Sequence, residues 1–356
     1  MRKSSANTLN FAAAKGALII KLRALNLNDL DLSDYTKNYL GFLINDIWET
    51  LSRFEQVINT AISHSSKNPS QLMIVDYGGG TGLLSLLAKE MGFKSVIYND
   101  IFKGSCDDVS VLARACNLKV DAMIHGDASD LVGYLNKNAI QADLIVSYDV
   151  IEHVYDVKEN FQAFYGLEIN PEVIVYGSGA NIQNPFYTHS VKKVQRSVEN
   201  EDRVQSFGHK SSDSLKSYVN LRKDIILQSA NGLDLADIDF LSKSTRGLIK
   251  SDIEKVAKEF SLTGNLSYQI SHPTNTCDPI TGNWCEHLLE FEWLRSTAQS
   301  FGFKSKITKG KYSPDRFTKK NIFRWIFNVA NRALGPLGFA FSPFYILTLK
   351  PPMKNR

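Results

Sequence analysis

The sequence has few of the residues that hold small folds together by covalent or metal links: its 356 residues include four cysteines and seven histidines. Cys106, Cys116, Cys277 and Cys285 form no Cys-x-x-Cys pair. That spacing argues against a structural zinc site and a disulfide scaffold, and points to free thiols in a reducing, cytoplasmic setting. No apolar run reaches the roughly 18 residues of a membrane-spanning helix, so no helical span is expected. A large charge excess is also missing. Lys and Arg number 41 against 37 Asp and Glu, a net charge of +4, far from the basic stripe that phosphate-dominated binding requires, and no nucleic-acid partner is expected. There are no repeats and no low-complexity tracts. With 43% hydrophobic and 22% charged residues, the chain has the composition of an ordinary folded protein.

The N-terminus carries Arg2, Lys3, Lys15, Lys21 and Arg23 before its first acidic residue, Asp29. Lys15 interrupts the apolar stretch 11–20 and no cleavage-site pattern follows, so a basic leader on a folded protein is expected, not a targeting peptide. Leu40, Leu43, Ile47, Trp48, Leu51, Phe54, Ile58 and Ile62 recur at three- and four-residue steps, which predicts an amphipathic helix over 35–62. A polar linker at 64–70 ends it.

Short apolar runs at 72–77, 95–100, 120–125, 143–148 and 173–176 then alternate with helical stretches at 83–91, 107–116, 129–135 and 157–165. Such alternation predicts a parallel sheet covered by helices on both faces. It stops at 181–259, a helical insertion of mixed charge with helices at 214–229 and 251–260. A turn-rich loop at 272–284, a helix from 286 to 301, and two last strands at 303–309 and 345–349 follow. The expected organisation is a helical cap and leader at 1–70, a core at 71–180, an insertion or lid with its loop at 181–285, and completion of the core at 286–356.

The strongest local pattern is Asp76-Tyr77-Gly78-Gly79-Gly80-Thr81-Gly82, a strand that runs through an acid into a glycine-rich turn opening a helix. Glycine there lets the backbone turn sharply and approach a ligand at the carboxyl edge of the sheet. Nicotinamide enzymes space their glycines as Gly-x-Gly-x-x-Gly, whereas this turn has Gly78, Gly80 and Gly82 two residues apart. Asp100 ends the second strand, Gly126-Asp127-Ala128 follows the third, and Ser147-Tyr148-Asp149-Val150-Ile151-Glu152-His153 follows the fourth.

These four segments, in this order on successive strands, resemble the motifs of class I S-adenosylmethionine-dependent methyltransferases. The resemblance implies an α/β fold with a Rossmann-like seven-stranded sheet, mostly parallel with the last strand antiparallel, and S-adenosylmethionine as cofactor. It implies that Asp76, Gly78, Gly79, Gly80 and Gly82 form the cofactor turn, and that Asp100, with Ile101 beside it, receives the ribose hydroxyls. Asp127 and Ala128 would hold the adenine; Tyr148 and Asp149 would flank the methionine part.

A helix starting directly after the fourth strand would place His153 near the methyl, either as a general base or as a packing residue, and would set Asp149, Glu152 and His153 on one helical face. His153 and Glu152 are the catalytic candidates. A divalent ion on that face would need a distal histidine, for which His272 and His287 are candidates; none is assigned as a ligand. Asp278, Asn283, Trp284 and His287, in and just after the 272–284 loop, are the acceptor-contact candidates, with a rigid turn as the alternative reading. A basic C-terminal stretch including Lys304, Lys311, Arg316, Lys319 and Lys320 leads into apolar Ile322, Phe323, Trp325, Ile326 and Val329. That helix, expected over 321–334, either meets an anionic membrane peripherally or buries its apolar face in the core. The expected function is methyl transfer to an oxygen of a carbohydrate, lipid-linked glycan or other polar metabolite. The alternatives are a metal-dependent RNA 2'-O-methyltransferase and a non-catalytic S-adenosylmethionine-binding module.

Overall fold

The computed structural model describes residues 11–203, 215–315 and 318–352. Each apolar run becomes a strand: β1 (Met73–Tyr77), β2 (Ser95–Asp100), β3 (Ala122–His125), β4 (Leu144–Tyr148), β5 (Val173–Ser178), β6 (Lys304–Lys309) and β7 (Tyr345–Lys350). They make one sheet in the order β3-β2-β1-β4-β5-β7-β6. The first five strands pair in parallel, and β7 runs antiparallel to both β5 and β6. This is the Rossmann-like methyltransferase sheet that the motifs imply.

Ile74, Val75, Leu144, Ile145, Val146, Val173, Ile174 and Val175 have no exposed surface. Their unbroken apolar runs suit strands covered on both faces. Helices α4 (Leu83–Glu90), α5 (Lys103–Ala115), α6 (Ala128–Lys137) and α7 (Val157–Tyr165) follow β1 to β4 in turn. β1 pairs with β2 on one side and β4 on the other, so the strand order reverses there. The crevice outside the carboxyl ends of such strands is where open α/β sheets bind ligands.

Ahead of the sheet lie α1 (Phe11–Ala24), α2 (Asp34–Ile44) and α3 (Ile47–Ile62). The single helix expected over 35–62 is therefore two. Asp46 departs from helical geometry (φ −128°, ψ 39°), and its carboxylate accepts a 2.7 Å hydrogen bond from Arg324. α1 packs into the core through Leu18 and Leu22, while Lys15 pairs with Glu55 at 2.5 Å and donates to Ser52. Arg2 and Lys3 of the basic leader lie outside the described residues, as do Ser214 and Arg316.

The chain divides into two compact units: residues up to 150, 158–179 and 291 onward form one, and 151–157 with 180–290 form the other. The second unit holds α8 (Pro185–Asn200), α9 (Tyr218–Ser229), α10 (Leu235–Ser244) and α11 (Lys250–Thr263). These enclose an apolar cluster of Ile225, Ile226, Ile238, Leu241, Ile253 and Ala257.

The helix expected from 286 begins instead as α12 (Phe291–Ser300). Glu286 takes a left-handed conformation (φ 52°). The N–H groups of Cys285 and His287 donate to Thr276 and Glu152 carbonyls, so this segment pairs with neighbouring chain and does not coil. α13 (Lys319–Ala333) precedes β7. Among the described residues no helix is long and apolar enough to cross a membrane.

Candidate active site

The glycine turn, Asp100 and Asp127 lie at the carboxyl ends of the first three strands. Gly82 has φ 75°, and a Cβ on it would stand 2.5 Å from Val109 of α5. Gly80 has φ 52°, and no protein atom lies within 4 Å of where its Cβ would be. The turn therefore closes tightly against α5 at Gly82 and offers bare backbone at Gly80. Gly79 donates to Asn99 O at 3.0 Å, and Gly78 packs against Val150, leaving no room for a side chain there.

Asp100 is 5% exposed. Its Oδ2 accepts from Gly80 N–H and its Oδ1 from Phe102 N–H, each at 2.9 Å. Burial pushes its pKa up while those two N–H groups pull it down. A carboxylate has about four lone-pair sites, so each oxygen retains capacity for one ribose hydroxyl. The neighbouring Ile101 is 59% exposed and offers an apolar surface at the strand end. The donor set and the open glycine backbone together fit an adenosyl cofactor.

Asp76 behaves differently. It is buried, and its Oδ2 accepts from Ser85 N–H (3.0 Å) and Ser85 Oγ–H (2.7 Å), which ties β1 to the first turn of α4. Burial raises its pKa to about 7. Asp127 is the N-cap of α6, accepting from Ser129 and Asp130 N–H at 2.8 and 3.1 Å. Its neighbour Ala128 is buried. Capping fixes the chain direction at the place where the family motif puts the adenine.

After β4, Asp149 adopts φ 54°. Its N–H donates to Gly177 O, and its Oδ1 accepts from Gly179 N–H at 2.7 Å. Tyr148 packs edge-on against Phe54 and Phe344. The expected helix directly after β4 is absent: helical geometry starts at Val157. Asp149, Glu152 and His153 therefore do not share a helical face, and among the described residues no cluster of three His, Cys, Asp or Glu could hold a metal.

Several residues of this unit carry the site without a local signal in the sequence. Tyr98 donates to Gly80 O at 2.6 Å, and Asn99 donates to the carbonyls of Ile124 and Gly126, joining the ends of β2 and β3. Tyr35 of α2 is stacked on Tyr39, and burial, Tyr39 and Asp100 all push its phenol upward. Ser33 and Thr36 anchor that helix to Asp108 of α5. Although burial opposes its charge, Arg53 of α3 is held protonated by Tyr148, Glu49 and Asp149.

In the second unit, His153 Nδ1 lies 2.9 Å from Trp284 O, and its Nε2 is 3.8 Å from Glu286 Oε1. Tyr187 donates to Glu286 Oε2 at 2.8 Å. Glu152 is fully buried. Trp284 donates its indole N–H to Tyr155 O and stacks on His287 at 4.0 Å. Burial, with His272 nearby, lowers the His287 pKa to about 3, so it is a neutral ring at any physiological pH. His272 Nδ1 accepts from Thr274 and Asn275 N–H.

Asp278 closes its own turn by accepting from Ile280 and Thr281 N–H, and the neighbouring Asn283 N–H meets Thr281 Oγ1 at 3.3 Å. Buried Gln195 donates to Asn275, Cys285 and Glu286 and accepts from Thr274, which holds this loop in place. Gln195, Tyr187 and Glu286 carried no sequence signal of their own.

Residues 75–199 match a family model described as a methyltransferase domain. No curated protein sequence matches the chain. Among solved structures, the chain is similar to a SAM-dependent methyltransferase from Agrobacterium tumefaciens at 16% identity and TM-score 0.30, covering 36% of this chain and 44% of that one. It is similar to an S-adenosylmethionine-dependent methyltransferase from Mesorhizobium loti at 13% identity and TM-score 0.36, covering 82% and 96%. A third is phosphoethanolamine N-methyltransferase 2 of Haemonchus contortus in complex with S-adenosyl-L-methionine, at 12% identity and TM-score 0.36, covering 85% and 53%. The chain thus spans less than two thirds of the Agrobacterium and Haemonchus proteins. Sheet order, glycine turn and family match agree: residues 75–199 form a methyltransferase domain with the Rossmann-like fold of the class I S-adenosylmethionine-dependent enzymes, and S-adenosylmethionine is its cofactor.

Proposed function

We propose that the chain transfers a methyl group to an oxygen of a carbohydrate, a lipid-linked glycan or another polar metabolite, with His153 as the base. The observation that carries this reading is the bond from His153 Nδ1 to Trp284 O. A carbonyl only accepts, so Nδ1 holds the ring proton and Nε2 keeps its lone pair. Glu286 Oε1 lies 3.8 Å from Nε2. A base prepared in this way suits an acceptor that retains its proton at neutral pH, as an alcohol does.

When bound, S-adenosylmethionine supplies a methyl carbon activated by its sulfonium, and S-adenosylhomocysteine is left after transfer. The chain's own work is to hold and to deprotonate. Asp100 receives the ribose hydroxyls, and the Gly78–Gly82 backbone accommodates the cofactor without side-chain obstruction. His153 takes the acceptor's hydroxyl proton on Nε2. Orientation of the reactants supplies much of the remaining acceleration.

The test is formation of S-adenosylhomocysteine from S-adenosylmethionine across a panel of hydroxylated and amine acceptors. Turnover is expected with a hydroxyl acceptor, unchanged by EDTA. His153→Ala should lower kcat by about 10² to 10⁴ and leave the Kd for S-adenosylmethionine in calorimetry nearly unchanged. Asp100→Ala should weaken that binding by at least about tenfold. Turnover confined to amines, or a His153→Ala variant with full activity on an alcohol, would overturn the oxygen reading.

A further inference from the structure

Helix α13 has its polarity reversed with respect to the protein it packs on. Asn321, Arg324, Asn328 and Asn331 recur at steps of three and four, so they form one stripe, and that stripe faces inward. Asn321 and Asn331 are 4% and 1% exposed. Asn331 donates to Gly310 O, Asn328 exchanges two hydrogen bonds with the Tyr312 backbone, and Arg324 pairs with Asp46.

The apolar stripe faces out: Phe323, Trp325, Ile326 and Val329 are 63%, 53%, 54% and 64% exposed. Just beyond the helix, Leu337 is 76% exposed. A helix that serves the core presents the opposite faces, so core burial of the apolar side, one of the two readings of the sequence, does not hold. A patch of this kind on a folded chain marks an interaction surface.

Charge identifies what meets it. Residues 302–356 contain twelve Lys or Arg and a single acid, Asp315, so the remainder of a chain of net charge +4 is negative. Exposed Lys319 opens the helix and exposed Arg332 lies in its last turn, where long cationic side chains can reach out from the two ends of an apolar face. Two copies meeting through this face would bring like charges together. Trp and Phe on an apolar stripe bounded by Lys and Arg suit the boundary between headgroups and acyl chains.

We infer that α13 is a docking element that lays its Phe323–Val329 face into the interfacial layer of an anionic lipid bilayer.

The test is co-sedimentation of the full chain with large vesicles of phosphatidylcholine, alone or with about 30% phosphatidylglycerol. Binding is expected to the anionic vesicles only, and it should fall as salt is raised. A Phe323→Ser/Ile326→Ser variant should lose at least about tenfold in partitioning. Its Tm and its affinity for S-adenosylmethionine should stay unchanged, because both side chains already face water. Three results would overturn the inference: no binding to anionic vesicles, equal binding to neutral ones, or a lipid-free dimer that the double variant dissociates.

Discussion

Asp76 and Asp100 end adjacent strands beside the same turn, yet their surroundings divide the work between them. Asp76 spends Oδ2 on Ser85 and fixes the start of α4; Asp100 holds the turn through Gly80 and keeps acceptor capacity for a ligand. Burial raises the Asp76 pKa to about 7, above its unfolded value near 3.9. The folded state therefore binds the proton more tightly. The resulting stability is fully present below about pH 4 and is lost as pH rises through about 7. Asp76→Asn, which can still accept from Ser85, should flatten the dependence of Tm on pH between about 4 and 7, as thermal melts across that range would record. An unchanged slope would mean that Asp76 does not titrate there. Both acids were legible in the sequence because each lies at the carboxyl end of an apolar run, Asp76 just ahead of the glycine turn and Asp100 as the last residue of the second run. Tyr98 and Asn99 were not, since within β2 they look like filling for a core strand. Arg53 and Tyr35 come from helices distant in sequence and reach the site only through packing.

At the level of elements, the glycine turn was readable because its requirement is local: left-handed backbone and close approach. Gly82→Ala imposes both φ strain and a clash with Val109, and should cost about 2 to 4 kcal/mol in urea unfolding. Gly80→Ala, which meets open space, should cost about 1 to 2 kcal/mol. A smaller cost at Gly82 than at Gly80 would refute the packing argument. Two further features of the elements could not be read. Periodicity allowed a helix from Asp149 onward, but Asp149 is bonded to Gly177 and Gly179 of another strand and its loop. The pattern of α13 revealed two faces but not which one is inside, because the asparagines that bury it find their partners in backbone at 310 and 312.

At the scale of the whole molecule, unit 151–157 with 180–290 depends on a charged pair for part of its order. Arg222 is fully buried. Its guanidinium meets Glu199 and donates to Ser242 O, and Glu199 also accepts from Thr276. Arg222→Met leaves a buried carboxylate without its counter-charge and should destabilise by about 3 to 5 kcal/mol. Limited proteolysis should then cut faster within 180–290 than elsewhere. Glu199→Leu/Arg222→Met should recover most of the loss, because it leaves neither charge stranded. A double variant no better than the single one would show that the pair's other hydrogen bonds matter more than its charge. The alternation of strands and helices made the parallel part of the sheet plain, whereas this ion pair joins helices that the sequence shows only as an insertion of mixed charge.

β7 is the last strand to be made, yet it lies between β5 and β6 and pairs with both. More than 160 residues separate the end of β5 from its partner, which at ribosomal speeds of about 5 to 20 residues per second takes on the order of ten seconds or longer. Through that interval the growing chain carries an unpaired β5 border, open to mispairing with any extended segment nearby. Helper proteins that shield nascent chains would then bear on how much folded protein a cell obtains.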